Sequence, residues 1–164
     1  MDTWLAIASR REVRDYAPTP IPDEVVHRIL DAGRLTGSSS NSQQWEFVVV
    51  SDKVALAEAV YAPGNVLRAT LVVAIAGAAR PFDVGRASQN MMLAAWNDGV
   101  TSCPNGMPDA AATGEILGLG EDEHVINVIS FGYPAGPRSP QDRPAEEWLA
   151  SAKRKSFDEV VERR

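Results

Sequence analysis

Three arginines within five residues form the first group in this sequence whose types and spacing suggest a chemical role. Arg10, Arg11 and Arg14 directly follow residues 4–8, whose pattern is that of a helical turn with a buried apolar side. An arginine side chain is planar and permanently charged, and its donors suit a phosphate or a carboxylate. The three are therefore candidate anion-binding residues at the end of the first helix. The alternative, which the cluster alone favours, is a solvated run partly neutralised by Glu12 and Asp15.

A second polar group lies between a predicted helix and a predicted strand. It contains Ser38, Ser39, Asn41 and Gln43, and it is followed by Trp45. Short side chains let a flat ligand approach the backbone, and amide side chains offer paired donors and acceptors to a ring that carries amide groups. A flexible serine loop is the alternative, but the direct continuation into a strand argues that the segment is ordered.

Two shorter groups are weaker candidates. Asn105 and Gly106 form a predicted turn whose backbone N–H groups could point at a ligand, and Arg154 and Lys155 belong to a basic run near the end of the chain. A surface turn is the alternative for the basic run. Cys103 has no histidine near it in sequence, so we interpret it as a small buried residue rather than a nucleophile.

Overall charge and residue usage exclude several classes of protein. The chain has 164 residues, a net charge of −6, one cysteine and two histidines. The acidic balance argues against nucleic acid as a general partner, and the cysteine and histidine content allows neither an internal disulfide nor metal-ligand spacing. With no apolar run long enough to cross a membrane and no secretory signal pattern, the expected location is cytoplasmic. The acidic run 121–123 is interpreted as a solvated loop.

Basic residues are concentrated towards the two ends of the chain. Residues 35–137 hold only 4 of the 16 basic side chains but 10 of the 22 acidic ones. If both ends reach one place in the fold, they could hold an anion there despite the acidic total.

The hydrophobic pattern predicts helices alternating with strands in a single domain, residues 1–164, of the α+β or α/β type. Proline spacing predicts that residues 137–164 form an extended C-terminal arm, and arms of this length often wrap a second subunit, which suggests a homodimer. Helices are expected over residues 22–34, 54–61, 84–98 and 109–117, strands over residues 45–50, 69–76 and 124–131, and a brief extended piece over residues 100–103.

Five segments of the chain resemble, in order, the motifs of nitroreductase-like FMN-dependent oxidoreductases. Residues 9–16 resemble the Arg-Arg-Ser-x-Arg-x-Phe signature that opens that family. Residues 38–50, 83–95, 132–134 and 154–161 resemble its later motifs, so the resemblance covers nearly the whole chain. Two positions depart from the family pattern, because Glu12 stands in place of serine and Gln44 in place of the usual proline.

The resemblance implies an α+β, nitroreductase-like fold with a central, mainly antiparallel sheet flanked by helices. It further implies an interlocked homodimer with exchange of the C-terminal arm and with FMN at the subunit interface. The implied activity is electron transfer from NAD(P)H through flavin N5 to nitroaromatic, quinone or related acceptors. NADH, NADPH and a deazaflavin remain open as donors. A flavin-binding carrier or regulatory protein with little or no turnover is the alternative function.

The same resemblance assigns roles to the candidate residues. The phosphate of FMN would be held by the basic residues, and the ribityl chain and ring by the polar group. Asn105 and Gly106 would supply backbone N–H near flavin N5, and no catalytic side chain or metal is implied because the flavin carries the chemistry. The basic residues are Arg10, Arg11, Arg14, Arg154 and Lys155, and the polar group is Ser38, Ser39, Asn41 and Gln43.

Overall fold

A computed structural model describes residues 1–120 and 123–164, and the chain divides into two units. The larger is Arg11–Arg138, and the smaller combines Met1–Arg10 with Ser139–Arg164. The smaller unit is therefore built from both ends of the chain. That residues 1–164 act as one domain stays a prediction. Residues 121 and 122, predicted to lie in a solvated acidic loop, are outside the described residues.

The described residues form eight α-helices and four strands. Most of the predicted elements are present, with shifts of a few residues at their ends. The helices are α1 (Thr3–Ser9), α2 (Asp23–Arg34), α3 (Lys53–Ala57), α4 (Pro63–Arg68), α5 (Pro81–Asn97), α6 (Ala110–Ile116), α7 (Ala145–Ser151) and α8 (Phe157–Val160), and the strands are β1 (Glu46–Val49), β2 (Leu71–Gly77), β3 (Thr101–Asn105) and β4 (His124–Gly132).

A four-stranded sheet lies at the centre of the larger unit. Its strand order is β1-β2-β4-β3, and each neighbouring pair is antiparallel. The antiparallel sheet that the resemblance implied is confirmed. Among the described strands, β1 and β3 form the two edges, so β3 has one side that is free of other strands of the sheet.

Both faces of the sheet are covered by apolar side chains. In β2, Val73 and Ile75 pack in one cluster with Ile29 of α2 and Met91 of α5. Ala74 belongs to a second cluster with residues of α3 and α4. Alternate residues of a strand point to opposite faces, so a strand covered on both faces is continuously apolar, as β2 is.

Two predicted boundaries are wrong, and both changes affect the candidate site. The helix expected over residues 54–61 ends at Ala57, and Pro63, expected to follow a helix, instead begins α4, where its missing N–H is not needed. Tyr61 consequently lies between two helices. The predicted turn at Pro104 and Asn105 is the end of β3, which can accept a proline because it is an edge strand.

In the smaller unit, α1 packs against α7. The guanidinium of Arg143 lies 3.9 Å from the ring centroid of Trp148, whose Nε1 donates to the carbonyl of Pro140. Trp4 and Ile7 of α1 are more than half exposed, although the sequence pattern predicted that the apolar side of this helix is buried. No helix among the described residues is both long and apolar enough to cross a membrane.

Candidate cofactor site

The segment that carries Arg11 and Arg14 runs beside β3. Glu12 forms a parallel bridge with Ser102, and the N–H of Val13 donates to the Ser102 carbonyl at 3.2 Å. Val13 is buried, whereas Glu12 and Arg14 are exposed and Arg11 is half-buried. The segment therefore anchors itself through its backbone and Val13, and it leaves charged side chains at the surface.

Tyr16 fixes the end of this segment. Its hydroxyl lies 3.0 Å from Ser130 Oγ and donates a hydrogen bond to the Ser130 carbonyl at 3.3 Å. The ring packs so closely on Gly132 that a Cβ atom there would lie 2.8 Å from it. Burial raises the pKa of the Tyr16 phenol well above its ordinary value, although the hydrogen bond to Ser130 opposes that shift. Tyr16 is thus a neutral, buried anchor.

Asn105 holds the end of β3 from inside the fold. Its side-chain Nδ2 donates to the Cys103 carbonyl at 3.1 Å and lies 3.2 Å from Ser130 Oγ and 3.4 Å from the Val128 carbonyl. Because two of these partners are carbonyls, only the NH₂ group of the amide can face them. The buried Oδ1 accepts no hydrogen bond from any described residue. Cys103 is buried, as predicted.

Gly106 follows β3 at the surface and contacts Tyr61. The backbone N–H of Tyr61 donates to the Gly106 carbonyl at 2.9 Å. A Cβ atom added at Gly106 would lie 3.0 Å from Cδ2 of the Tyr61 ring. Glycine at this position therefore lets an aromatic ring lie directly against the main chain.

The polar group forms a tight turn with an unusual backbone. Ser40, Asn41 and Gln43 have φ angles of 54°, 53° and 49°, in the left-handed region that non-glycine residues seldom adopt. Such conformations cost roughly 1–3 kcal/mol each. Within the turn, Ser38 Oγ accepts from the Gln43 N–H at 2.9 Å, and the Ser38 carbonyl accepts from the Asn41 N–H at 3.0 Å. The turn is ordered in the way that its continuation into a strand predicted.

Asp83 in the first turn of α5 holds this turn in place. The carboxylate is buried, its Oδ2 accepts from the Ser39 N–H at 3.1 Å, and its Oδ1 lies 3.7 Å from Arg86 Nη1. Two turns beyond Asp83 along α5, Asn90 donates to Thr36 Oγ1 at 2.8 Å. The sequence pattern predicts Asp83 as the start of a helix. Its position in the motif of residues 83–95 is the one feature of the sequence that could have indicated that it also anchors the turn.

The predicted basic residues are divided between the two units. Arg11 and Arg14 belong to the larger unit. Arg10 is the C-cap of α1 in the smaller unit, where the helix dipole favours a cation, and Arg154 and Lys155 lie exposed between α7 and α8. That all five meet on one phosphate stays a prediction.

The two departures from the family pattern are accommodated locally. The side chain of Glu12 is exposed, and its backbone takes part in the bridge to β3. The carbonyl of Gln44 passes close to Gly77, where a Cβ atom would lie only 2.6 Å from it. Gly77 has φ of 111°, so the backbone here needs glycine for both reasons. Among the described residues, no three His, Cys, Asp or Glu side chains form a group that could hold a metal ion.

A family model described as the nitroreductase family matches residues 7–75 and 74–133. The chain belongs to the nitroreductase family. It is 31% identical over 144 residues to an Archaeoglobus fulgidus protein provisionally named NADH dehydrogenase/NAD(P)H nitroreductase. The matched region covers 78% of this chain and 83% of that protein.

Solved structures of the family share its fold. A nitroreductase family protein from Clostridium difficile 630 has a TM-score of 0.81 at 21% identity, over 99% of this chain and 98% of that one. A protein from Desulfovibrio desulfuricans, provisionally named a nitroreductase and solved in complex with FMN, has a TM-score of 0.78 at 26% identity, over 96% and 99%. The predicted family and the predicted α+β fold are confirmed.

Proposed function

We propose that this protein is an FMN-dependent oxidoreductase that uses NAD(P)H as its electron donor. The chemistry that FMN supplies when bound is two-electron transfer, from NAD(P)H at flavin N5 to a nitroaromatic, a quinone or a related acceptor. Family membership and a relative named for NAD(P)H nitroreductase activity support the reaction type. FMN in the similar Desulfovibrio structure supports the cofactor.

The observation that carries the proposal is the position of β3 between two predicted ends of the cofactor site. The Arg11–Arg14 segment is bonded to Ser102, and Gly106 lies just beyond the other end of the strand. Four residues of strand span about 13 Å. Arg11 and Arg14 would therefore hold the phosphate near one end of β3, and the backbone N–H of Gly106 would face flavin N5 near the other.

The residues present also fit FMN by their chemistry. Arg11 and Arg14 supply permanent positive charge for a phosphate dianion, and guanidinium–phosphate hydrogen bonds are among the stronger ones in proteins. The turn of residues 38–43 presents exposed amide and hydroxyl groups that suit the polar edge of the flavin and its ribityl chain. Gly106 adds no side chain where a flat ring would approach.

The chain's own part in the reaction would be to bind and orient the cofactor and to exclude water from it. The buried bonds of Asn105 fix the end of β3, and so they would hold the backbone N–H of Gly106 in one direction. A donor that is fixed before the charge develops stabilises that charge without reorganisation. No side chain needs to act as a general acid or base in the hydride step.

The proposal includes a homodimer with exchange of the C-terminal arms. In the smaller unit, large apolar side chains are exposed, including Trp4, Phe157 and Val160 at 56%, 69% and 63%. Exposed apolar side chains of this size would be covered by the partner subunit in such a dimer. In the homodimer, the turn of residues 38–43 would contact the flavin partly across the interface.

The visible spectrum of the purified protein tests this function. A yellow preparation that NADH or NADPH bleaches without oxygen, and that a quinone recolours, supports the oxidoreductase. Yellow protein that neither nucleotide nor a reduced deazaflavin bleaches would instead indicate a flavin carrier. Colourless protein that does not take up added FMN would contradict both.

A further inference from the structure

We propose that Tyr61 determines acceptor specificity, because its ring provides the surface on which flat aromatic electron acceptors stack beside the flavin. This inference rests on the proposed function, since it takes Gly106 as the residue next to flavin N5. The contacts that support it are those of Tyr61 and Gly106, both of which lie in the larger unit.

Two independent contacts place Tyr61 against Gly106. The first is the main-chain hydrogen bond of 2.9 Å from Tyr61 N–H to the Gly106 carbonyl. The second is the ring itself, whose Cδ2 would lie 3.0 Å from a Cβ atom at Gly106. A group held next to the backbone of Gly106 is therefore also within reach of the Tyr61 ring.

The surrounding chain fixes the backbone of Tyr61 while leaving its side chain in solvent. Leu56 and Val60 on one side, and Asn65 and Val66 on the other, are buried. The Asn65 N–H donates to the Ala62 carbonyl at 3.0 Å. Despite these fixed neighbours, 73% of Tyr61 is exposed. An aromatic ring on a fixed backbone, with most of its surface exposed, is available to a flat ligand.

The expected occupant follows from the chemistry of the ring. Aromatic groups prefer offset-stacked or edge-to-face contacts, and such contacts contribute binding free energy beyond that from the burial of apolar area. Quinones and nitroaromatics present flat, electron-poor faces that suit an electron-rich phenol. A small inorganic acceptor presents no such face, so Tyr61 should not affect it.

Flavin fluorescence in the FMN-loaded protein tests the position of Tyr61 without turnover. A phenol in contact with a flavin quenches its fluorescence by donating an electron to the excited ring, whereas leucine and phenylalanine do not. Tyr61→Leu and Tyr61→Phe should both brighten bound FMN, and both keep the main-chain bond to Gly106. The matched control is Tyr133→Phe, which removes the phenol of a half-buried tyrosine that is not assigned to the cofactor and should leave the brightness unchanged.

Steady-state kinetics then test specificity. Tyr61→Leu should raise KM for menadione about three- to tenfold and leave kcat with ferricyanide unchanged. Tyr61→Phe keeps the ring, so its KM for menadione should stay close to that of the wild type. The inference is overturned if Tyr61→Leu changes neither the fluorescence nor the KM for menadione while wild-type protein binds FMN and turns over. Failure of the wild type to bind FMN would overturn the proposed function instead.

Discussion

The end of β3 and the turn of residues 38–43 are both assigned to the flavin, but they are held by different means. At the end of β3, Tyr16, Ser130 and Asn105 share a buried chain of hydrogen bonds that links three segments. In the turn, the side chains are exposed, the backbone is strained, and the Asp83 carboxylate supplies the anchor from α5. The comparison shows that a polar surface can be fixed by a buried chain of side chains, or by hydrogen bonds within a turn together with one buried carboxylate outside it.

This difference predicts how each region responds to the loss of one group. At the end of β3, several hydrogen bonds hold the same segments together, so removal of one leaves the others in place. Where a single carboxylate opposes about 1–3 kcal/mol of backbone strain at each left-handed residue, its removal lets the turn relax. Changes at Asp83 should therefore be larger than equivalent changes around Asn105.

The largest effect is expected for Asp83→Ala. The partly buried hydrogen bond from the Ser39 N–H loses its charged acceptor, and Arg86 loses its ion-pair partner. We expect the free energy of unfolding to fall by about 2–3 kcal/mol in urea titrations. FMN affinity should fall at least about tenfold, since the turn is no longer held. The control is Asp31→Ala, which removes a surface pair with Arg34 and should cost less than about 1 kcal/mol. Equal losses from the two variants would contradict the anchoring role.

A smaller effect is expected for Tyr16→Phe, because Ser130 keeps its contacts with Asn105 and the Cys103 carbonyl. The free energy of unfolding at pH 7 should fall by about 1 kcal/mol. A loss as large as that of Asp83→Ala would show that the end of β3 also depends on a single group.

Tyr16 also predicts how stability depends on pH. Burial raises its pKa in the folded state, so the unfolded chain releases this proton first as the pH rises. The stabilisation is therefore complete below about pH 10, the ordinary pKa of tyrosine, and declines above it. Urea titrations from pH 9 to about pH 11 should show this decline in the wild type and less of it in Tyr16→Phe.

The smallest effect is expected for Ser40→Gly. Glycine adopts φ near 54° without strain, but it also makes the unfolded chain more flexible. The relief of strain slightly exceeds the cost of the more flexible unfolded chain, so we expect the free energy of unfolding to rise by about 0.5 kcal/mol. Ser42→Gly in the same turn, where φ is −70°, has no strain to relieve and should be destabilising. A Ser40→Gly variant as destabilised as Ser42→Gly would argue against strain in the turn.

Much of the fold could be predicted because local patterns determine it. The helical period of α2 and the continuous apolar run of β2 each reflect which faces are buried. The end of β3 could not be predicted in this way, since a proline is acceptable there only because β3 lies at an edge. The sequence pattern places Pro63 after a helix, but proline is equally suited to the first turn of a helix, which is where Pro63 lies in α4.

Residue type singles out the candidate site residues, whose contact with a cofactor stays a prediction, but it does not reveal the residues that support them. Arg11, Arg14 and Ser38 stand out because of their local spacing. The pairs that position them are distant in sequence, since Tyr16 and Ser130 are 114 residues apart and Ser39 and Asp83 are 44 apart. No local pattern joins such residues, so these contacts became visible only in the folded chain.

The most direct test of the proposed FMN site compares the affinities of the apoprotein for FMN and for riboflavin, which lacks the phosphate. If Arg11 and Arg14 bind the phosphate, FMN should bind about ten- to a hundredfold more tightly than riboflavin. Arg14→Ala should reduce that ratio, whereas the control Arg34→Ala should not. Equal affinities for FMN and riboflavin in the wild type would contradict a phosphate site on this segment.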